Sequence, residues 1–258
     1  MSAAAVPAAG GPREVDAGLA TWKALWWQIG GIGLAFAVVV AWLLTADLTE
    51  TERTTLAPSA LWGYTVEHLQ LTAASALIVL LIAIPLGILL TRGRMRRYAG
   101  PIMAVANWGQ AAPAIGLIVL LAMWLGFTAW TAVVALVAYA VLPVLRNTMV
   151  GLNQVDARLV EAGRGMGMSA SAVLFKVELP LAVPVMLSGI RTALVLLVGT
   201  ATLATFINGG GLGILITTGV NLSLTTVLVA GSVLVALLAL VVDWLGRLVE
   251  HLARPKGL

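Results

Sequence analysis

Six stretches of almost uninterrupted apolar residues decide what this chain can fold into. They lie at 26–44, 69–90, 101–124, 130–145, 181–206 and 224–245. A helix needs roughly 20 mostly apolar residues to cross the hydrocarbon core of a bilayer. Most of the runs reach that length, and the first and fourth are short. They are continuous, not alternating, which selects helices over barrel strands, because a backbone in lipid must satisfy its own hydrogen bonds. Composition agrees: 60% of the 258 residues are hydrophobic and only 10% are charged, where a soluble domain carries about 25% charged residues. The mean hydropathy is +1.02. The expected fold class is all-α, a polytopic membrane protein with about six transmembrane helices.

Lysine and arginine orient those helices. With both termini inside, the cytoplasmic segments hold Arg13, Lys23, Arg92, Arg94, Arg96, Arg97, Arg146, Arg158, Arg164, Lys176, Arg247, Arg254 and Lys256. Of the 15 basic residues only Arg53 falls outside, and Arg191 lies within a span. Inverting the chain reverses this bias, so the positive-inside rule fixes both termini in the cytoplasm. The pI near 10.0 is thereby a topology signal and calls for no nucleic-acid partner. Trp22, Trp26, Trp27, Trp42, Trp62, Trp124, Trp130 and Trp244 fall near the expected interfaces, where amphipathic rings settle, and Trp108 alone sits inside a span.

Residues 1–25 read as a flexible cytoplasmic tail, 26–248 as the transmembrane domain and 249–258 as a second cytoplasmic tail. The first twenty residues have no apolar h-region, so a cleaved signal is not expected. The chain has no cysteine, which excludes disulfides and Cys-based metal or redox sites. His68 and His251 are far apart, both near expected membrane edges, so no metal site is expected. Segment 45–67 is an acidic external loop with room for a short surface helix. Segment 91–100 is a basic turn, and 207–223 is a Gly-rich outer segment that could be partly re-entrant. No internal repeat is visible, so the inverted-repeat signature of many secondary transporters is missing.

The largest cytoplasmic segment is 147–180. Asp156 can cap a short helix through about Met166 by accepting orphan N–H groups. Gly163, Gly165 and Gly167 crowd the end of that helix, where a left-handed residue or close approach is wanted. Ser169 can cap a second helix over 170–178, placing Val173, Leu174 and Val177 on one face. Leu179 and Pro180 are expected to stop it and start the next span. The product is a compact, partly apolar knob suited to a partner's groove. An amphipathic helix lying on lipid would have the same composition.

Glu161-Ala162, then Gly167, then nine residues to Val177 and a closing Leu179-Pro180 resembles the EAA loop of ABC-importer permeases. The resemblance implies that 156–180 couples this chain to a separate ATPase through Glu161, Ala162, Gly163, Gly167, Met168, Val177, Leu179 and Pro180. One position departs from the pattern: Gly163 stands where the family usually has alanine. The likeness extends over roughly 61–248. It is carried by 139–148 (YAVLPVLRNT), Gly151-Leu152, Val155-Asp156, 166–168 (MGM), 177–184 (VELPLAVP), 189–192 (GIRT), 199–202 (GTAT) and 210–213 (GGLG). These blocks are similar to permease subunits of osmoprotectant importers, which carry glycine betaine, choline, carnitine or proline betaine. The resemblance implies a type I ABC importer permease fold in the plasma (inner) membrane of a prokaryote. It also implies a cytoplasmic ABC ATPase dimer that binds ATP and Mg, a second permease subunit, identical or paralogous, and an extracytoplasmic substrate-binding protein. The chain itself then needs no cofactor and is a transport subunit, not an enzyme; it contains no Walker sequence, and 209–213 (GGGLG) has no preceding strand and no following Lys-Ser/Thr. That glycine run is read as a tight turn or a close helix contact.

Arg191 lies about 16 Å into its span at 1.5 Å per residue. Intramembrane charge is costly and by default functional. A substrate carboxylate is one partner for it, and Asp243 within the same subunit is another. Asn107, Trp108 and Gln110 on the third span and Tyr139 on the fourth are the remaining candidates for the pathway, although interhelical hydrogen bonds explain the amides equally well. Pro113 and Pro143 are expected to kink their helices. Three rival readings remain. One is a permease for another small solute, such as a sulfonate, amino acid or metal-binding compound. Another is a channel or ion-coupled transporter, which would need intramembrane acids that the spans scarcely offer. The last is a membrane-assembly protein, which leaves the EAA-like loop unexplained.

Overall fold

A computed structural model of the chain describes residues 22–253. The tails outside that range, and Arg13, Arg254 and Lys256 with them, lie beyond the described residues. Among the described residues eleven α-helices follow one another and no strand occurs. They are α1 (Trp22–Thr45), α2 (Glu50–Thr55), α3 (Pro58–Leu90), α4 (Ala99–Ala111), α5 (Ala114–Leu125), α6 (Ala129–Asn153), α7 (Ala157–Gly165), α8 (Ala170–Val173), α9 (Leu179–Ala201), α10 (Gly213–Asn221) and α11 (Thr225–Leu252).

Five of the helical segments are long and apolar enough to cross a membrane, and a bent pair gives a sixth if it is one span. That pair corrects the expected single span at 101–124. Its halves meet at 99°, because Ala112 is extended (φ −63°, ψ 142°) and Pro113 lies outside the helical region (φ −56°, ψ 120°). The proline ring pushes its predecessor out of the α region and lacks the N–H that would continue the ladder. The half after the bend, α5, has 12 residues and is about 18 Å long, too short alone for a core of about 30 Å. Pro143, by contrast, sits inside the continuous α6.

Other bounds also shift. The helix that carries span two begins at Pro58, ahead of the apolar run at 69–90, with Pro58 in the first helical turn, where the missing N–H costs nothing. His68, expected at a membrane edge, is buried inside the bundle, its Nε2 2.9 Å from the Val198 carbonyl. The expected surface helix in the acidic loop is α2. Thr49 and Glu52 close a capping box there, and the Thr49 backbone and hydroxyl hold the Glu52 carboxyl below its ordinary pKa.

The centre of the bundle is α3, α6 and α9, joined through Val79, Leu90, Leu136, Val144, Leu145 and Leu197. Lipid removes the hydrophobic drive between helices, so close approach has to supply the contact energy. A Cβ on Gly189 would sit 2.7 Å from the Pro143 carbonyl, and one on Gly151 3.0 Å from that of Ala182. Backbone therefore meets backbone where α6 crosses α9. Helix α1 is peripheral: it buries only Leu25, Ile32 and Val39, a stripe at spacing seven, against α11. Trp22 stacks edge-on against His251, and Arg191 of α9 reaches Glu250 of α11. Both described ends of the chain thus share the end of the bundle that carries α7 and α8.

Candidate functional site

The segment between α6 and α9 folds into a small knob by local chemistry. Asp156 Oδ1 accepts the Arg158 N–H at 2.9 Å and opens α7. Ser169 Oγ accepts the Ala172 N–H at 3.2 Å and opens α8. Each cap stabilises its helix by about 1 kcal/mol. Between them α7 ends in a complete Schellman motif: Met168 N–H donates to Gly163 C=O at 3.1 Å and Gly167 N–H to Arg164 C=O at 2.9 Å. Gly167 has φ +82°, which only glycine adopts without strain.

The two short helices close on one another at Gly163. A Cβ built there would lie 3.4 Å from Met168 Sδ and 3.4 Å from Val173 Cγ2. That is ordinary contact, so the departure from alanine leaves just enough room for a methyl group. Val173 is buried, while Leu174 and Val177 are half-buried. Glu161, Ala162 and Pro180 are exposed, and Met168 and Leu179 are half-buried. Glu161 makes no ion pair among the described residues. Leu159, Met166 and Phe175 are 48%, 77% and 67% exposed. This apolar trio was not singled out from the sequence, although its hydrophobicity in a charged loop was a usable signal.

Leu179 and Pro180 do not stop the second helix, as the sequence suggested. From α8 the chain passes through a π-helical turn, Leu174–Glu178, directly into α9, with Leu179 N–H reaching back to Leu174 C=O. A proline at 180 would clash with the carbonyl four residues earlier in an α-helix. Widening the ladder by one residue absorbs that conflict.

Beside this turn lies an anchor that the sequence does not reveal. Glu178 is buried and forms a two-pronged ion pair with Arg92 at the end of α3; the Arg92 Nη1 donates to Oε1 at 3.0 Å, and Nη2 donates to Oε2. The basic turn after α3 is therefore tied to the base of α9. The only hint was an acid among apolar neighbours two residues before a proline.

The candidate pathway residues separate into two places. Asn107 and Trp108 are exposed, and Gln110 is half-buried, in the last turns of α4. Gly109 brings that turn onto α6, where a Cβ would lie 2.9 Å from Ala138 C=O, beside the half-buried Tyr139. Arg191 is elsewhere. Its Nε lies 3.7 Å from Asp243 Oδ1 and its Nη1 3.5 Å from Glu250 Oε2. Asp243 also accepts from Arg247 Nε at 2.8 Å and Gln28 Nε2 at 3.0 Å. Two arginines meet two carboxylates, so the network is neutral and crosslinks α1, α9 and α11.

Residues 83–255 match the model of the family described as binding-protein-dependent transport system inner membrane component. The chain belongs to that family. It is 41% identical to the choline transport system permease protein OpuBB of Bacillus subtilis, over 75% of this chain and 88% of that protein. It is 40% identical to the glycine betaine/carnitine/choline transport system permease protein OpuCB of the same species, over 74% and 88%. Among solved structures it resembles the MetNI methionine ABC transporter in an inward-facing conformation, with a TM-score of 0.67. That likeness has 24% identity and covers 81% of this chain and 100% of that one. The fold is thus the all-helical type I importer-permease fold, and the chain is a multi-pass membrane transport subunit.

Proposed function

We propose that this family member is the transmembrane subunit of an ATP-driven importer of osmoprotectants, quaternary amines such as choline, glycine betaine and carnitine. Its inner-membrane orientation places α7, α8 and both termini in the cytoplasm. Two such subunits form the pathway at their interface. An ATPase dimer, which binds the ATP and Mg, grips the two knobs, and an extracytoplasmic binding protein delivers the solute. Closure of the ATPases draws the knobs together and opens the far side.

The observation that carries this reading is the Schellman-capped knob fused through a π turn to a membrane-spanning helix. It supports mechanical coupling because force on α8 has no flexible hinge in which to dissipate before α9. The solute class is supported by the two relatives at 41% and 40% identity, whose names specify choline, glycine betaine and carnitine. The test is reconstitution with the cognate ATPase and binding protein in vesicles. ATP-dependent uptake of radiolabelled choline or glycine betaine is expected, with none when the ATPase is omitted. Uptake of a sulfonate or an amino acid alone would assign the complex to another solute, and uptake without ATPase would refute the coupling.

A further inference from the structure

At the end of the bundle opposite α7 and α8, a cavity of about 640 Å³ opens between α3, α6 and the turn after α9. That volume is in the range of small-molecule sites, roughly 300–1,000 Å³. Glu67, Gln70, Trp130 and Asn208 supply its polar and aromatic walls, and Leu71 and Val133 its apolar floor. No lysine, arginine or histidine lines it, and among the described residues Glu67 has no ion-pair partner.

The carboxylate is held in place by backbone. Gly211 N–H donates to Glu67 Oε2 at 2.9 Å. A Cβ on Gly210 would stand 2.5 Å from the same oxygen, so the glycine leaves the Glu67 carboxylate room against the turn. Asn208, Gly210 and Gly211 all take positive φ, at 62°, 76° and 87°. The turn fixes one negative charge in a cavity whose wall includes the Trp130 indole, 63% exposed.

This combination selects the chemistry of the occupant. A hard metal ion wants six or more oxygen ligands, and no group of three metal-binding side chains exists among the described residues. A quaternary ammonium has no hydrogen to donate. It is recognised instead by an aromatic face and a diffuse negative field. We propose that this cavity is a subsite for the quaternary ammonium head of the solute as it enters the permease, with Glu67 supplying charge, Trp130 the ring face, and Gln70 and Asn208 contacts to the polar end. The proposal takes its solute class from the function proposed above and adds a selectivity site within the permease itself. A fixed carboxylate favours a full cation over a zwitterion, whose own carboxylate it repels.

Glu67→Gln separates charge from structure, because the amide oxygen still accepts the Gly211 N–H. The purified permease–ATPase complex is titrated with tetramethylammonium and read by saturation-transfer NMR. Binding is expected for the wild type, weaker by about tenfold in Glu67→Gln and about two- to fivefold in Trp130→Leu, and retained in Trp130→Phe. In vesicles with the binding protein, Glu67→Gln is expected to lower the ratio of choline to glycine betaine uptake efficiency about fivefold or more. No tetramethylammonium binding by the wild type, or equal binding by all variants, overturns the subsite. If Glu67→Gln does not assemble, the Trp130 pair decides by the same readouts. Wild-type binding of tetramethylammonium without uptake of any quaternary amine would count against the importer function and leave the subsite standing.

Discussion

Gly167 is where backbone geometry and coupling can be separated experimentally. Nothing lies within 4 Å of a Cβ built on it, so a substituent there meets open space and the whole cost comes from φ +82°. An L-residue in the left-handed region costs about 1–2 kcal/mol, less for asparagine. A β-branched residue is a true outlier there, at up to about 3 kcal/mol. If the ATPase docks only on the Schellman-capped knob, these costs subtract from its affinity. At 1.4 kcal/mol per tenfold, Gly167→Ala weakens ATPase binding about 5- to 30-fold and Gly167→Val about 100-fold, with Gly167→Asn between alanine and wild type. The assay is titration of purified ATPase onto permease in nanodiscs, followed by stimulated ATP hydrolysis. The permease should insert normally, since its spans are untouched. The order Asn above Ala above Val tests the reasoning. Asparagine is bulkier than alanine, so an alanine variant that binds better than the asparagine variant would show that interface sterics, not φ, control docking. Wild-type coupling by Gly167→Val would refute the role of the turn.

Gly163→Ala should raise the melting temperature and preserve coupling, because its methyl group meets only ordinary contacts at 3.4 Å while helix propensity improves by up to about 1 kcal/mol; lost coupling would show that the ATPase needs the glycine. In the Arg92–Glu178 pair the side chains are 37% and 6% exposed, so Arg92→Ala, which strands a buried carboxylate, should cost more than Glu178→Gln, which frees a cation that can hydrate. About 3 and 1–2 kcal/mol are expected, with partial rescue in the double variant, and additive melting-temperature losses would deny the pairing. Arg191→Ala should lower the yield of assembled complex by leaving Glu250 unpartnered, without changing the transport KM; a well-assembled variant with a selectively raised KM would instead favour a substrate contact. Cysteines at Ser59 and Ser169 should label from opposite sides of the membrane, and labelling of both from one side would sink the orientation.

What was legible in the sequence was what hydropathy and local spacing control. The apolar runs locate the spans, and Asp156, Gly167 and Ser169 spell out the knob because caps and turns depend on neighbours three or four residues away. Arg191 and Asp243 could be paired on paper because charges are so scarce inside the spans. Glu250 could not, lying as it did among ordinary residues of a helix end. The early start of α3 was hidden for a related reason. Glu67, His68 and Gln70 count as polar in any window, whereas in the bundle His68 meets the Val198 carbonyl and Glu67 the Gly211 N–H. Pro113 announced a kink, but its size depends on what the two halves pack against. The partner of Glu178 lies 86 positions away, beyond the reach of any local pattern.

The uninterrupted helical path from α8 through the π turn and α9 to the following turn runs over Ala170–Ile207, 38 residues. In mechanical terms it is a lever whose fulcrum is the backbone crossing at Gly189. From 170 to the crossing is about 28 Å and from the crossing to 207 about 27 Å, at 1.5 Å per residue. With arms so nearly equal, a tilt that carries the knob sideways by a few ångströms swings the Gly-rich turn around Glu67 by the same distance in the opposite sense. Under the coupling proposed above, a stroke delivered at the base is inverted at the tip and neither amplified nor damped.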